Sequence, residues 1–175
     1  MSKTVWNLDP MHSEVNFRVR HLLISTVSGK FERINSTVTT DGEDFTQAEV
    51  AFSADVASIN TGVGDRDNHL RSDDFFNAEK FPEIRFKSTA ISKSGNGYQV
   101  DGDLTVRDVT RPVSFSVENG GTMVDFYGNT KAGFELQGTI NRKEFGLMWD
   151  AVTEAGGVVV SDEVKFQVNL QYAKA

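Results

Sequence analysis

The chain has 175 residues, no cysteine and a formal charge of -7 at pH 7. That length suits a single domain spanning residues 1–175 and able to bury about two-thirds of its unfolded surface. The missing thiols exclude disulfides, thiolate metal sites, iron–sulfur clusters and cysteine nucleophiles. The acidity opposes nucleic acid, whose binding relies on lysine and arginine displacing phosphate counterions, and an anionic membrane surface would repel the chain too.

The N-terminus, "MSKTVWNLDP", lacks the ~7–15-residue apolar core of a signal peptide, and no later run approaches the ~20 apolar residues of a membrane span. The sequence as given therefore reads as cytoplasmic, or periplasmic if a leader has been removed, with no stable membrane insertion. Next comes "EVNFRVRH", where Val15, Phe17 and Val19 alternate with Asn16, Arg18 and Arg20. That is the period of a strand with one dry face, and His21 shares the inward parity. "EVAFSADV" repeats the pattern with Val50, Phe52, Ala54 and Val56.

Residues 65–76, "DRDNHLRSDDFF", are the one stretch with helical character. Asp65 is a candidate cap, Asp67 and Arg71 stand at the i,i+4 spacing, and Leu70, Phe75 and Phe76 are candidate anchors to a sheet. Strand periodicity resumes with Ile84 and Phe86 in "EIRFK", Val113, Phe115 and Val117 in "RPVSFSVE", and Val164, Phe166, Val168 and Leu170 in "EVKFQVNLQ". Asn96-Gly97 predicts a two-residue hairpin turn, and "TTDGED" and "VENGGT" predict further breaks. Pro82 and Pro112 are expected at strand starts or loop edges. Phe145, Leu147 and Trp149 alternate as on a strand, with Gly146 at a bend or a close backbone approach.

The whole reads as eight to ten antiparallel strands and one short helix. So few helical residues cannot cover a large sheet, so the strands bury their dry faces in a sandwich or by closing into a barrel. Thirteen phenylalanines fit either a filled core or the wall of a ligand cavity, and periodicity does not choose between them.

Motifs for reactive chemistry are sparse. His12, His21 and His69 fall in no metal-ligand spacing, so no metal is expected. "GVGDRD" lacks the third glycine of a dinucleotide loop, and neither a phosphate-binding loop nor a G-x-S-x-G elbow is present. His69 beside Asp65 or Asp73 is a candidate acid/base pair without a nucleophile to serve it. The favoured alternative is a solvated loop or helix with weak surface ion pairs; between the two stands a polar gate in which Arg66, His69 and Arg71 meet an anionic head group with Phe75 and Phe76 just inside.

Read together, "WNLDPMHSEVNFRVRHLLISTVSGKF", "DRDNHLRSDDFFNAEKFPEIRFKS", "GDLTVRDVTRPVSF" and "GTINRKEFGLMWD" resemble the YceI-like family of polyisoprenoid- or lipid-binding proteins, from Trp6 to about Leu170. The resemblance implies an all-β fold, an extended, lipocalin-like antiparallel barrel of about eight strands. It further implies a long apolar channel for an amphiphile with an isoprenoid or fatty tail, and no cofactor. No catalytic set comes with it. Parity within the matching motifs nominates Phe17, Val19 and His21, then Phe75 and Phe76, then Phe86, Leu104 and Val106, and last Phe145, Leu147 and Trp149, as ligand-binding residues. Sequestration or carriage of a lipid is the favoured function. An enzyme acting on a lipid-like substrate through His69 or His21, and a structural or stress-response barrel with a filled interior, are the alternatives. A homodimer is left open.

Overall fold

Alternating side chains commit most of the chain to strands, and in the computed structural model, which describes residues 3–21, 24–149 and 160–175, eleven strand segments share one sheet. They are β1 (Lys3–Leu8), β2 (Glu14–His21), β3 (Ser25–Phe31), β4 (Ile34–Asp41), β5 (Asp44–Asp55), β6 (Ile59–Asn60), β7 (Glu83–Ser94), β8 (Gly97–Val106), β9 (Val109–Val124), β10 (Thr130–Asn141) and β11 (Val160–Lys174). The antiparallel order β1-β4-β5-β7-β8-β9-β10-β11 closes because β11 also pairs with β1. The other three segments continue existing strands. β2 extends β1 along β11, β3 extends β4, and β6 extends β5. Eight strand paths therefore make the closed barrel, as expected.

The breaks within those paths have local causes. Asp9 accepts from Met11 N at the start of a 3-10 turn, Pro10–His12, with proline at its first position. Asp55 does the same for Ala57 N before the turn Val56–Ser58. Each carboxylate satisfies an amide that the interrupted ladder leaves free.

Several sequence expectations shift. The β7–β8 turn is centred on Gly95-Asn96, not Asn96-Gly97, because Ser94 pairs with Gly97 and the positive φ of 56° falls on Gly95. Glycine first and an ordinary residue second is the pattern of a II′ hairpin. "VENGGT" is no break, since β9 runs through it and absorbs Gly120 as a bulge between the Phe134↔Asn119 and Gly133↔Gly121 pairs. Phe145, Leu147 and Trp149 do not alternate along a strand. Asn141 caps a 3-10 turn, Arg142–Phe145, and Gly146 reverses the chain at φ 81°.

The helix α1 spans Gly64–Arg71, and turns carry the chain on to Phe76. Its cap is Val63, with no side-chain bond, so Asp65 lies inside the first turn. Asp67 does not pair with Arg71. It is 6% exposed and accepts from Thr61 N at 2.9 Å and Thr61 Oγ1 at 2.5 Å. Arg71 instead donates to the carbonyls of Ala57 and Ile59, at 3.1 Å each, which staples α1 to β6 across one end of the barrel.

The β9–β10 register ends at Leu136↔Val117, leaving Val109–Ser116 of β9 laddered to β8 alone. Pro112 sits on that free edge, where its missing N–H breaks no ladder bond. The seam is filled by Val106, Phe145 and Leu147, with Val113 and Ile140 against them.

Candidate functional site: a lined barrel cavity

A single inward face is shared by Val15, Phe17, Val19 and His21 of β2 and by Val164, Phe166, Val168, Leu170 and Tyr172 of β11. Between such faces lies a cavity of about 580 Å³ with a wall of aliphatic and aromatic side chains, within the ~300–1,000 Å³ usual for small-molecule sites. Val164 to Tyr172 covers about 27 Å of strand, or about 20 Å of barrel axis at a tilt of ~40°.

The phenylalanines leave this space vacant because several lie flat on glycine. A Cβ at Gly138 would stand 2.5 Å from Phe166 Cζ, one at Gly29 would stand 2.5 Å from Phe17 Cζ, and one at Gly102 would stand 2.5 Å from Phe86 Cζ. Gly138 is the cross-strand partner of Phe166, and Gly29 that of Phe17. Missing side chains in the wall give the rings somewhere to lie, so the rings coat the lumen without filling it.

One end is floored. Trp6, Val38, Ala132 and Tyr172 are buried there, with Phe45 and Phe134 packed on them at a ring separation of 5.2 Å. Their polar atoms are satisfied: Trp6 Nε1 donates to Thr40 Oγ1 at 3.1 Å, and Tyr172 Oη shares a 2.8 Å bond with Ser36 Oγ. Burial pushes the Tyr172 phenol up to about 12, against the smaller opposing effect of that bond.

The opposite end, beside α1, gathers the polar lining: His21, Thr61, Asp65, Arg66, His69 and Arg142. Arg66 donates to Thr61 Oγ1 at 2.7 Å and Thr61 O at 2.6 Å, and among the described residues no carboxylate forms an ion pair with it. His69 Nε2 lies 2.8 Å from Asp74 Oδ2, and its ring meets Phe75 and Trp149 edge-on at 5.1 and 4.9 Å.

Of the residues nominated from sequence, Phe17, Val19 and His21 line the cavity, as do Phe75, Phe76 and Phe86. Leu104, Val106, Leu147 and Trp149 line it as well. Phe145 does not, because the reversal at Gly146 turns it into the seam, where it is 2% exposed. Arg66 and His69 stand at the mouth, whereas Arg71 is committed to β6.

Two arginines escaped the sequence reading. Arg142 is 2% exposed and donates to the carbonyls of Leu147 and Trp149, each at 2.7 Å, and of Ser161 at 2.9 Å, so it holds the segment that bears two lining side chains. Arg107, at the β8–β9 turn with φ 54°, donates to the carbonyls of Asp73 and Phe75 at 2.9 Å each and fixes Phe75 beside the mouth. Phe134 and Tyr98 could have been found by parity, since Ala132, Phe134 and Leu136 alternate; nothing in the period-two pattern marks a buried arginine.

Among the described residues, no group of three His, Asp or Glu side chains is placed to hold a metal, and no helix is long and apolar enough to cross a membrane.

A YceI-like domain model matches residues 6–172. A UPF0312 protein of Staphylococcus epidermidis is 36% identical over 171 residues, covering 97% of this chain and 98% of its own, and one of Staphylococcus aureus is 34% identical over the same coverage. The YceI protein of Campylobacter jejuni superposes with a TM-score of 0.74 at 29% identity, covering 88% of each chain. Burkholderia cenocepacia BcnA gives a TM-score of 0.81 at 24% identity over 94% of this chain and 98% of its own. A polyisoprenoid binding domain from Saccharophagus degradans gives 0.71 at 17%, over 97% and 98%. The last two speak for the fold alone. With the family model running from the buried Trp6 to the buried Tyr172 and relatives matching end to end, the chain belongs to the YceI-like family.

Proposed function

We propose that the barrel binds an amphiphile, its long apolar tail in the cavity and its polar head between His21, Arg66 and His69. The observation that carries this reading is the segregation of the lining: hydrocarbon and aromatic walls run down to the aromatic floor, and the charged groups collect at one end. Burying a tail is worth about 0.8 kcal/mol per methylene, so affinity should rise with tail length until the tail reaches Phe45 and Phe134. Arg66, with no carboxylate partner among the described residues, has charge to offer an anionic head. The Saccharophagus degradans neighbour, described as polyisoprenoid binding, supports an isoprenoid tail, though only by likeness of fold. Native mass spectrometry of protein purified from cells, followed by organic extraction, tests the reading. A bound prenyl or fatty amphiphile is expected; a ligand-free barrel that also ignores prenyl alcohols, prenyl phosphates and fatty acids would overturn it.

The His69–Asp74 pair favours a second reading, acid/base catalysis on a lipid-like substrate. It requires turnover that disappears in His69→Ala. The Thr61 hydroxyl, in the same lining, is already engaged by Asp67 and Arg66, which weighs against its serving as a nucleophile. The cavity itself weighs against a filled structural barrel.

A further inference from the structure

We propose that the mouth end of the barrel docks on a lipid bilayer through Ile24, Val63 and Met148, so that a tail passes from membrane to cavity without crossing water. This rests on the amphiphile-binding reading and names the partner of that site. The three side chains are 83%, 48% and 60% exposed, and they come from three separate segments. Each flanks a residue of the mouth: Ile24 lies at the β2–β3 turn that follows His21, Val63 lies between Thr61 and Asp65, and Met148 lies between Leu147 and Trp149. Exposed apolar side chains thereby stand close in sequence to the residues that line the opening. Isolated exposed apolar residues need no explanation, but a set converging on one opening does.

The charges around the rim indicate which membrane. Asp65, Asp67, Asp73 and Asp74 are matched at this end by Arg66, Arg71, Arg107 and Arg142, so the rim has no cationic excess, and the whole chain carries -7. Attraction to anionic lipid is therefore not the source of docking. Insertion of apolar side chains is, and a zwitterionic surface suffices.

The opposite end carries the competing patch. The β9–β10 turn exposes Phe126 and Tyr127 fully, with Met123 and Val124 beside them, and Asp125 locks it by accepting from Tyr127 N and Asn129 N at 2.9 Å each. Contact there would leave the aromatic floor between membrane and cavity. A tail would then have to travel the length of the barrel, about 20 Å, through water.

The test follows transfer of anthroyloxy-palmitate from phosphatidylcholine vesicles to the full chain by stopped-flow fluorescence. The variants are Ile24→Ser/Val63→Ser/Met148→Ser and, as the competing patch, Phe126→Ser/Tyr127→Ser. Equilibrium affinity for probe added from an ethanolic stock is measured alongside. For the unmodified chain the rate should rise with vesicle concentration. In the rim variant it should fall by about tenfold or more while the affinity stays within about twofold, and the Phe126/Tyr127 variant should transfer normally. An unchanged rate in the rim variant, or a slowed rate in the Phe126/Tyr127 variant alone, would overturn docking at the mouth and leave amphiphile binding intact. Failure of the unmodified chain to take up probe even from the stock would overturn both.

Discussion

Replacing Gly138 by valine removes the recess in which the Phe166 ring lies. A Cβ there would be 2.5 Å from Phe166 Cζ and 3.0 Å from Cε2, about 1 Å inside the ~3.5–4.0 Å separation that carbon atoms prefer. Phe166 belongs to the middle of the barrel wall, packed edge-on against Phe115 at 5.3 Å and paired across strands with Phe17. The neighbouring strand blocks retreat, so the displaced ring swings toward the lumen. If it takes the room of two or three methylenes, a bound tail loses about 2 kcal/mol, close to a 30-fold rise in Kd. The assay is a binding titration with a series of tails of increasing length, on variants whose near-ultraviolet circular dichroism is native. Tails that stop above the Phe115–Phe166 pair should bind as before, and longer ones should weaken. The double variant Gly138→Val/Phe166→Ala should regain most of the loss, because the ring no longer intrudes. Long tails that bind folded Gly138→Val as tightly as they bind the unmodified chain would refute the argument that glycines keep the lumen open.

Arg142→Met should lower the unfolding free energy by about 3 kcal/mol in urea titrations, because it orphans the buried carbonyl of Leu147 and the partly buried one of Trp149 and removes a bonded, buried charge; a loss well under 1 kcal/mol would contradict its role as the anchor of that segment. Tyr172 gives a pH signature. Its phenol is pushed up to about 12 in the folded chain against about 10 unfolded, so the unfolded state releases its proton first as pH rises. The stabilisation is complete below pH ~10 and is lost on going up through ~12, by about 3 kcal/mol. Tyr172→Phe should show a correspondingly shallower decline in stability over that window, and parallel curves would sink the assignment. Arg66→Gln should weaken an anionic-headed amphiphile about tenfold and leave the neutral alcohol of the same tail unaffected. Arg71→Gln should instead lower thermal stability with little effect on binding, since its bonds go to Ala57 and Ile59.

The inward set on β2 was legible because Val15, Phe17 and Val19 alternate along one unbulged segment with matching register on both sides. Leu104 and Val106 were legible for the same reason. Phe145 was not, because a capping asparagine and a glycine at positive φ replace a strand by a tight turn within six residues, Asn141–Gly146, and apolar spacing looks alike in both. Asp67 reads as a solvated helix charge until the chain brings Thr61 onto it. The choice between filled and hollow barrel was beyond the sequence for a related reason. Gly138 and Phe166 are on different strands, and only their register shows that one makes room for the other. Arg107 acts on carbonyls supplied by a distant turn, and Arg142 on those of Leu147, Trp149 and the strand residue Ser161, pairings that no period-two pattern encodes.

The most direct measurement is the crystal structure of the protein with an amphiphile carrying a bromine at the end of its tail, located by anomalous scattering. The bromine is predicted deep in the barrel, near Phe45 and Phe134, with the head beside Arg66 and His69. A bromine at the α1 end, or bound only on the outer surface, would contradict the account.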